Sequence, residues 1–305
     1  MPIWKVILLA IVQGLAELLP VSSSAHVIVA EKLMGLDPSA PQMTLLLVML
    51  HTGTMFAVIV YFWRTWKEAY FSSSQNFNRF AGLVIWATIL TGIVGEALKK
   101  LIEKTLFAHQ PKAEIENLFS RLDLIAPALA AAGLLILISG LMERRQLANR
   151  IPSYAAFKPE SEGTVNLAQT SWMGIVQGLA LPFRGFSRSG STISTAMLAG
   201  AKKAPAERFS FAMAVVLTPV VVGMELLRLE KAHTVAISAG SPAGSMMDLH
   251  GSLLASLLGM VFSFLAGLVA LRWLSSWLEN GRWYLFGIYC LVASAGVFAL
   301  YLHGF

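Results

Sequence analysis

The chain has little charge and almost no cysteine. Only 13% of its 305 residues are charged, against 56% hydrophobic, whereas a soluble globular chain carries about 25% charged residues. That shortage excludes an ordinary pair of soluble domains. The single cysteine, Cys290, lies inside an apolar run and excludes an internal disulfide or a thiolate metal cluster. No Gly-rich phosphate loop of the Walker or dinucleotide type occurs, so no nucleotide chemistry is indicated. The net charge of +6 is better assigned to loop lysines and arginines facing anionic lipid than to nucleic-acid binding.

Long apolar runs are what the chain has instead. With a mean hydropathy of +0.66, its charges sit in short clusters separated by roughly 18 to 22 apolar residues, the length that crosses a bilayer core. Six full spans are expected, at 43–63, 80–98, 122–142, 209–228, 252–272 and 284–303. Two further segments, 3–35 and 171–201, are apolar but broken in the middle. Each half is too short to span, which predicts two re-entrant helix–loop–helix hairpins around a polar cavity. The N-terminal run lacks an Ala-x-Ala cleavage site and carries Gln13, Glu17 and Pro20, so it is expected to be retained and not removed as a signal peptide.

The two broken segments read as copies. Ile11-Val12-Gln13-Gly14-Leu15-Ala16 recurs at Ile175-Val176-Gln177-Gly178-Leu179-Ala180, and a proline and a Ser-rich break follow each copy. Three spans lie between the hairpins, an odd number that inverts the second copy. The expected fold class is therefore an all-α polytopic membrane protein: one integral membrane domain, 1–305, of two inverted-topology repeats at about 1–142 and 171–305. Arg64, Lys67, Arg79, Arg144, Arg145, Arg150, Lys158, Lys202, Lys203, Arg208, Arg272 and Arg282 gather on one side. Positive-inside counting puts that side in the cytoplasm and both termini outside. Phe62, Trp63, Trp66, Tyr70 and Phe71, and again Trp273, Trp277, Trp283 and Tyr284, read as interfacial belts.

Charges within apolar segments are costly and default to functional hypotheses. Glu17 lies four residues after Gln13, so the two share a face of the first half-helix. The break that follows supplies Ser22, Ser23, Ser24 and His26; the second supplies Arg184, Ser187, Arg188, Ser189, Ser191 and Thr192. One hairpin thus offers a carboxylate, hydroxyls and an imidazole, and the other guanidinium, hydroxyls and a helix start near Ser191. That set suits a phosphate ester or anhydride: arginine's fork binds phosphate oxygens, and a helix N-terminus adds donors. Gly185 and Gly190 would let the backbone approach a ligand. Ser23, His26 and Glu17 can supply nucleophile and proton acceptor, with Arg188 meeting the developing charge. Blander readings stand beside these. A buried Glu17–Arg188 pair can be purely structural, the serines can cap the second half-helix, and Arg184 can snorkel toward lipid headgroups. His51, in mid-span, reads as a hydrogen bond between helices, with a cavity-lining role as its alternative.

On these residues the sequence resembles the undecaprenyl-diphosphate phosphatase family, also called the bacitracin-resistance protein family. Gln13 through Glu17 match its (Glu/Gln)-x-x-x-Glu motif, and Pro20-Val21-Ser22-Ser23 through His26 match the Pro-Val-Ser-Ser…His stretch. Gly185 through Thr192 match Pro-Gly-x-Ser-Arg-Ser-x-x-Thr except at its first residue, where Arg184 stands. Ser24-Ala25 replace a Thr-Gly pair found in many members, a cost if Ala25 needs a positive φ.

The resemblance implies hydrolysis of undecaprenyl diphosphate to undecaprenyl phosphate, recycling the carrier for peptidoglycan synthesis and conferring bacitracin resistance. It also implies a bacterial inner-membrane location, a site open to the periplasmic side and a divalent cation, magnesium or calcium. Glu17, Ser23, His26 and Arg188 take the catalytic positions, with Gln13, Ser22, Ser187, Ser189, Thr192 and Arg184 on the substrate. Ser23 or His26 can attack, with Ser23 favoured and His26 as base or leaving-group acid. Glu17 alone cannot build a metal site, so it is the single candidate ligand and the metal is expected to arrive with the diphosphate. The expected partners are undecaprenyl diphosphate and membrane lipid, with a homodimer left open. The rival classes are a lipid-phosphate flippase or transporter on the same scaffold, for which a nucleophile is superfluous, and a non-catalytic assembly protein, which leaves the polar hairpins unexplained.

Overall fold

The computed structural model describes residues 1–17, 19–106, 118, 121–149, 163–238, 249–278 and 282–305. Among them the chain is helical, with no strand: α1 Ile3–Glu17, α2 Ser23–Leu33, α3 Pro41–Tyr70, α4 Ser74–Leu106, α5 Leu122–Ala148, α6 Leu167–Ala180, α7 Arg188–Leu198, α8 Lys203–Ser238, α9 Leu249–Leu278 and α10 Trp283–Leu302. Helices α3, α4, α5, α8, α9 and α10 are long and apolar enough to cross a membrane, and the chain is a polytopic all-α membrane protein. Five of these helices contain their expected spans, and α10 ends one residue short of the sixth, 284–303.

Several helices outrun their apolar stretches. The expected loop 64–79 is mostly the end of α3 and the start of α4, leaving only Phe71–Ser73 between them. Outside the apolar core a helix keeps its internal hydrogen bonds, and pairs such as Arg64 to Glu68 at 3.2 Å line its polar turns. Of the basic residues on that side, Arg150 and Lys158 lie outside the described residues. The four remaining helices are short. At 15 and 11 residues for α1 and α2, and 14 and 11 for α6 and α7, each is about 16–23 Å long at 1.5 Å per residue, less than a bilayer core.

The short helices dock on long ones from the other half of the chain. Helix α1 packs on α9 and α6 packs on α4, while α3 lies against α8 and α9, and α5 against α10. The repeated hexapeptide makes both crossings close. Gly14 abuts Ala266 of α9, and a Cβ on Gly178 would sit 2.7 Å from the Val94 Cβ of α4. The adjacent glutamines, Gln13 and Gln177, are fully buried. The motif is thus a docking surface used twice.

Only part of the aromatic belts faces outward. Trp63 and Phe71 are exposed, but Trp66 and Tyr70 are buried, with Tyr70 stacked on Phe80 at 4.0 Å. Trp283 is buried too, its indole donating to Ser194 at 3.0 Å. An indole N–H with a partner in the core is better satisfied there than at the interface. The side chains of Trp273 and Trp277 lie outside the described residues.

Candidate active site

The breaks between α1 and α2 and between α6 and α7 meet in the interior. Ser22 Oγ donates to the Arg184 carbonyl at 2.7 Å, and a Cβ on Gly190 would come within 3.0 Å of the Pro20 carbonyl. Gly185 in turn lies against the Ile125 carbonyl of α5. Both glycines serve the approach of chain to chain. Ser22 carries the tension of the join: its φ of +64° is the one left-handed value among the described non-glycine residues. Such a conformation costs about 1 kcal/mol. Ala25, suspected of that strain, is an ordinary helical residue of α2.

Around this junction lies a cavity of about 120 Å³, lined by Glu17, Ser22, Ser23, Ser24, His51, Arg184, Ser187, Arg188 and Ser189, with Val48, Leu181, Phe183, Leu217 and Val221 as its apolar wall. Glu17 is its hub, only 5% exposed. One carboxylate oxygen, Oε2, accepts from Gln13 at 2.8 Å and from the Ser23 hydroxyl, and faces His51 Nε2 at 3.3 Å. The other, Oε1, takes Arg188 Nη2 at 2.9 Å. A carboxylate this far from water persists as an anion only with such partners. The Glu17–Arg188 pair joins residues 171 positions apart and pins one break to the other.

Two helices begin at the cavity. Helix α2 starts at Ser23 and α7 at Arg188, three residues before the expected start near Ser191. Ser187 caps α7 by accepting from Gly190 N at 3.2 Å, whereas Ser22 makes no side-chain cap on α2 and spends its hydroxyl on Arg184. The first N–H groups of both helices therefore lie at the same cavity, beside Arg188 and Arg184. Paired helix starts with guanidinium form a binding place for a multiply charged anion.

Of the expected site residues, Glu17, Ser22, Ser23, Arg184, Ser187, Arg188 and Ser189 line this cavity. Gln13 stands behind it, holding Glu17. Thr192 does not line it: fully buried, it bonds the Arg188 carbonyl at 2.9 Å and Ser210 at 2.7 Å, and so fastens α7 to α8. Nor does His26 line it. Its Nδ1 bonds the Ser22 carbonyl at 2.8 Å and its Nε2 the Tyr289 hydroxyl at 2.7 Å, so the ring lies against α10 and does not line the cavity. Three residues after Ser23 on α2, it is turned only about 60° round that helix, and the side of α2 it occupies is the one packed against Tyr289 of α10.

The imidazole at the cavity is His51 of α3, for which the bond between helices was the first expectation and cavity lining the alternative. The expense of a polar group inside an apolar span was the signal that pointed to it. Its Nε2 stands 3.5 Å from Ser23 Oγ and 3.3 Å from Ser24 Oγ, and its Nδ1 bonds the Leu47 carbonyl at 2.8 Å.

A resident divalent cation does not fit these donors. Among the described residues no three His, Cys, Asp or Glu side chains come together, whereas magnesium and calcium take six or more oxygens. Both oxygens of Glu17 are already engaged, so it is not a preformed ligand.

Comparison with known proteins bears on the same chain. The pattern of the bacitracin resistance protein BacA family matches residues 6–296. A protein of Acinetobacter baylyi named undecaprenyl-diphosphatase 2 is 54% identical over 300 residues, covering 98% of each chain. One of Burkholderia thailandensis with the same name is 32% identical over 307 residues, covering 98% of this chain and 96% of its own. An undecaprenyl-diphosphatase 1 of Burkholderia pseudomallei is 32% identical over 311 residues, with the same coverage.

Proposed function

The chain belongs to the bacitracin resistance protein BacA family, and from that premise we infer how it works as an undecaprenyl-diphosphatase. It hydrolyses undecaprenyl diphosphate to undecaprenyl phosphate and inorganic phosphate, which supports cell-wall synthesis and bacitracin resistance. The observation that carries the assignment of residues is the Arg188–Glu17 contact at 2.9 Å, beside Ser23, where two helices begin.

In our reading the terminal phosphoryl group of the substrate sits between those helix starts. Arg188 has five N–H donors and uses one on Glu17, so the others are free to take phosphoryl oxygens as charge develops there. Ser23 is the nucleophile: of the two candidates, it alone lines the cavity. Glu17 orients its hydroxyl and is itself held by Gln13. The apolar wall of Val48, Leu217 and Val221 gives the first isoprene units a dry path toward the bilayer. The cavity residues would leave a divalent cation, magnesium or calcium, to be carried by the diphosphate, where it would offset phosphoryl charge.

Three further proposals frame the site. The short helix pairs α1–α2 and α6–α7 are re-entrant hairpins, supported by half-lengths below a bilayer core. The chain is two inverted repeats, supported by the exchanged docking of α1 on α9 and α6 on α4. The protein lies in the bacterial inner membrane with its site reached from the periplasm, supported by the basic residues gathered on the opposite side.

Phosphate release from undecaprenyl diphosphate by purified protein in detergent, with and without magnesium or calcium, tests the reading. Glu17→Ala and Arg188→Ala, each checked by size exclusion, are expected to abolish release. No release from well-folded wild type under several metals and lipids would sink the hydrolase reading. Transport of lipid phosphate in vesicles would then favour a carrier.

A further inference from the structure

The Ser23 hydroxyl needs somewhere to send its proton, and His26, the expected base, is turned to Tyr289. We propose that His51 is the general base of the reaction, taking the Ser23 proton on Nε2 and returning it later in the cycle. The proposal rests on the hydrolase reading above and assigns it a further catalytic residue.

The geometry selects both the ring and the atom. His51 Nδ1 lies 2.8 Å from the carbonyl of Leu47, one turn earlier in α3. A carbonyl only accepts, so Nδ1 carries the hydrogen and Nε2 of the neutral ring is the acceptor. That Nε2 stands 3.5 Å from Ser23 Oγ, 3.3 Å from Ser24 Oγ and 3.3 Å from Glu17 Oε2. The charges facing the ring are Glu17 of α1, Arg188 of α7 and Arg184 of the second break. Once protonated, the imidazolium presents its new Nε2–H to the Glu17 carboxylate 3.3 Å away, which stabilises the charge while the Leu47 carbonyl holds Nδ1–H. A helix backbone orients the ring, and α3 is a 30-residue element anchored in the core, so the base is held rigidly.

The Ser23 hydroxyl, which donates to Glu17 at rest, rotates toward His51 Nε2, 3.5 Å away; an oxygen lone pair of Ser23 then attacks the terminal phosphorus while the proton passes to that Nε2. The bond from that phosphorus to the bridging oxygen breaks, and its electron pair leaves with undecaprenyl phosphate. Water then attacks the phosphoserine, and His51 returns its proton to the departing Ser23 oxygen. Both water hydrogens stay on the inorganic phosphate, and one is later lost to solvent.

The test is steady-state kinetics from pH 5 to 9 on purified His51→Gln and His51→Asn, beside wild type and Ser23→Ala. A general base contributes about 10²–10⁴-fold. The expected result is a kcat loss of that order with KM changed less than about threefold. The fall in wild-type kcat on the acid side should also be missing from the residual activity. A kcat within about threefold of wild type, an intact acid limb, or a rise in KM alone would overturn the assignment. Those results beside an active wild type sink only His51, whereas an inactive wild type sinks the hydrolase reading itself. If neither variant folds, carbethoxylation of wild-type protein followed by mass spectrometry decides. Inactivation that tracks modification of His51 supports the base, and complete inactivation with His51 unmodified overturns it.

Discussion

The two breaks begin from one hexapeptide and end in opposite chemistry. In both copies the glycine docks a short helix on a long one and the glutamine is buried. One turn after the glutamine the copies part: Gln13 is followed by Glu17, and Gln177 by Leu181. Gln13 therefore bonds a carboxylate at 2.8 Å, whereas Gln177 bonds Thr91 of α4 at 3.3 Å. Beyond the break the first copy presents Ser23 at its helix start and the second presents Arg188. The caps differ too, since Ser187 caps its own helix while Ser22 reaches across to the other break. A shared packing device thus brings two helix starts to one place, and divergence within a few residues puts a carboxylate and a serine on one side and an arginine on the other. Neither side is a site alone, because the Glu17 charge is balanced by a residue from the opposite break.

The sharpest way to break this division is to neutralise one side while keeping its shape. Glu17→Gln should lower kcat by about 10³-fold, because Ser23 loses its anionic partner and Arg188 its counter-charge. Arg188→Lys keeps the charge but loses the fork, and about a 10²-fold drop is expected. Phosphate-release kinetics check both.

The glutamines give a finer contrast. Gln13→Ala should lower kcat about tenfold by loosening Glu17. Gln177→Ala should leave kcat within about threefold and cost about 1 kcal/mol of stability from its lost buried hydrogen bond. Kinetics and thermal unfolding in detergent separate the two. At Ser22, alanine keeps the left-handed strain and loses the bond to Arg184, while glycine loses only the bond. Unfolding midpoints should rank wild type above Ser22→Gly and Ser22→Gly above Ser22→Ala, with the glycine variant about 1 kcal/mol the more stable of the two. Arg184→Pro, which restores the family residue, should give the smallest effect, a KM change of about threefold or less. Its backbone carbonyl, the acceptor for Ser22, is present in either residue.

Much of this was legible in the residues. Apolar length alone located all six long helices, because only a run near 20 residues satisfies a bilayer and its own backbone together. Glu17 and Arg188 stood out because an ion in an apolar segment demands a partner, and the structure supplies each with the other. The serines of the first break read as candidates for the start of the second half-helix, and α2 does begin at Ser23; in the second break α7 begins at Arg188 with Ser187 as its cap, ahead of the start expected near Ser191.

What only the tertiary structure decided is which face each helix turns toward the cavity. His26 and Ser23 lie three residues apart on α2, yet one meets Tyr289 and the other Glu17. His51 shares its mostly apolar span with Thr44, Thr52 and Thr54, so its residue type by itself does not mark which face of the helix meets Ser23. The same holds for Thr192, spent on Ser210, and for Gly185 and Gly190, spent on backbone from other elements. Composition and length determine that a helix is buried in lipid or protein. Its rotation is fixed by close contacts with residues distant in the chain, and in this protein that rotation decides which imidazole faces the serine.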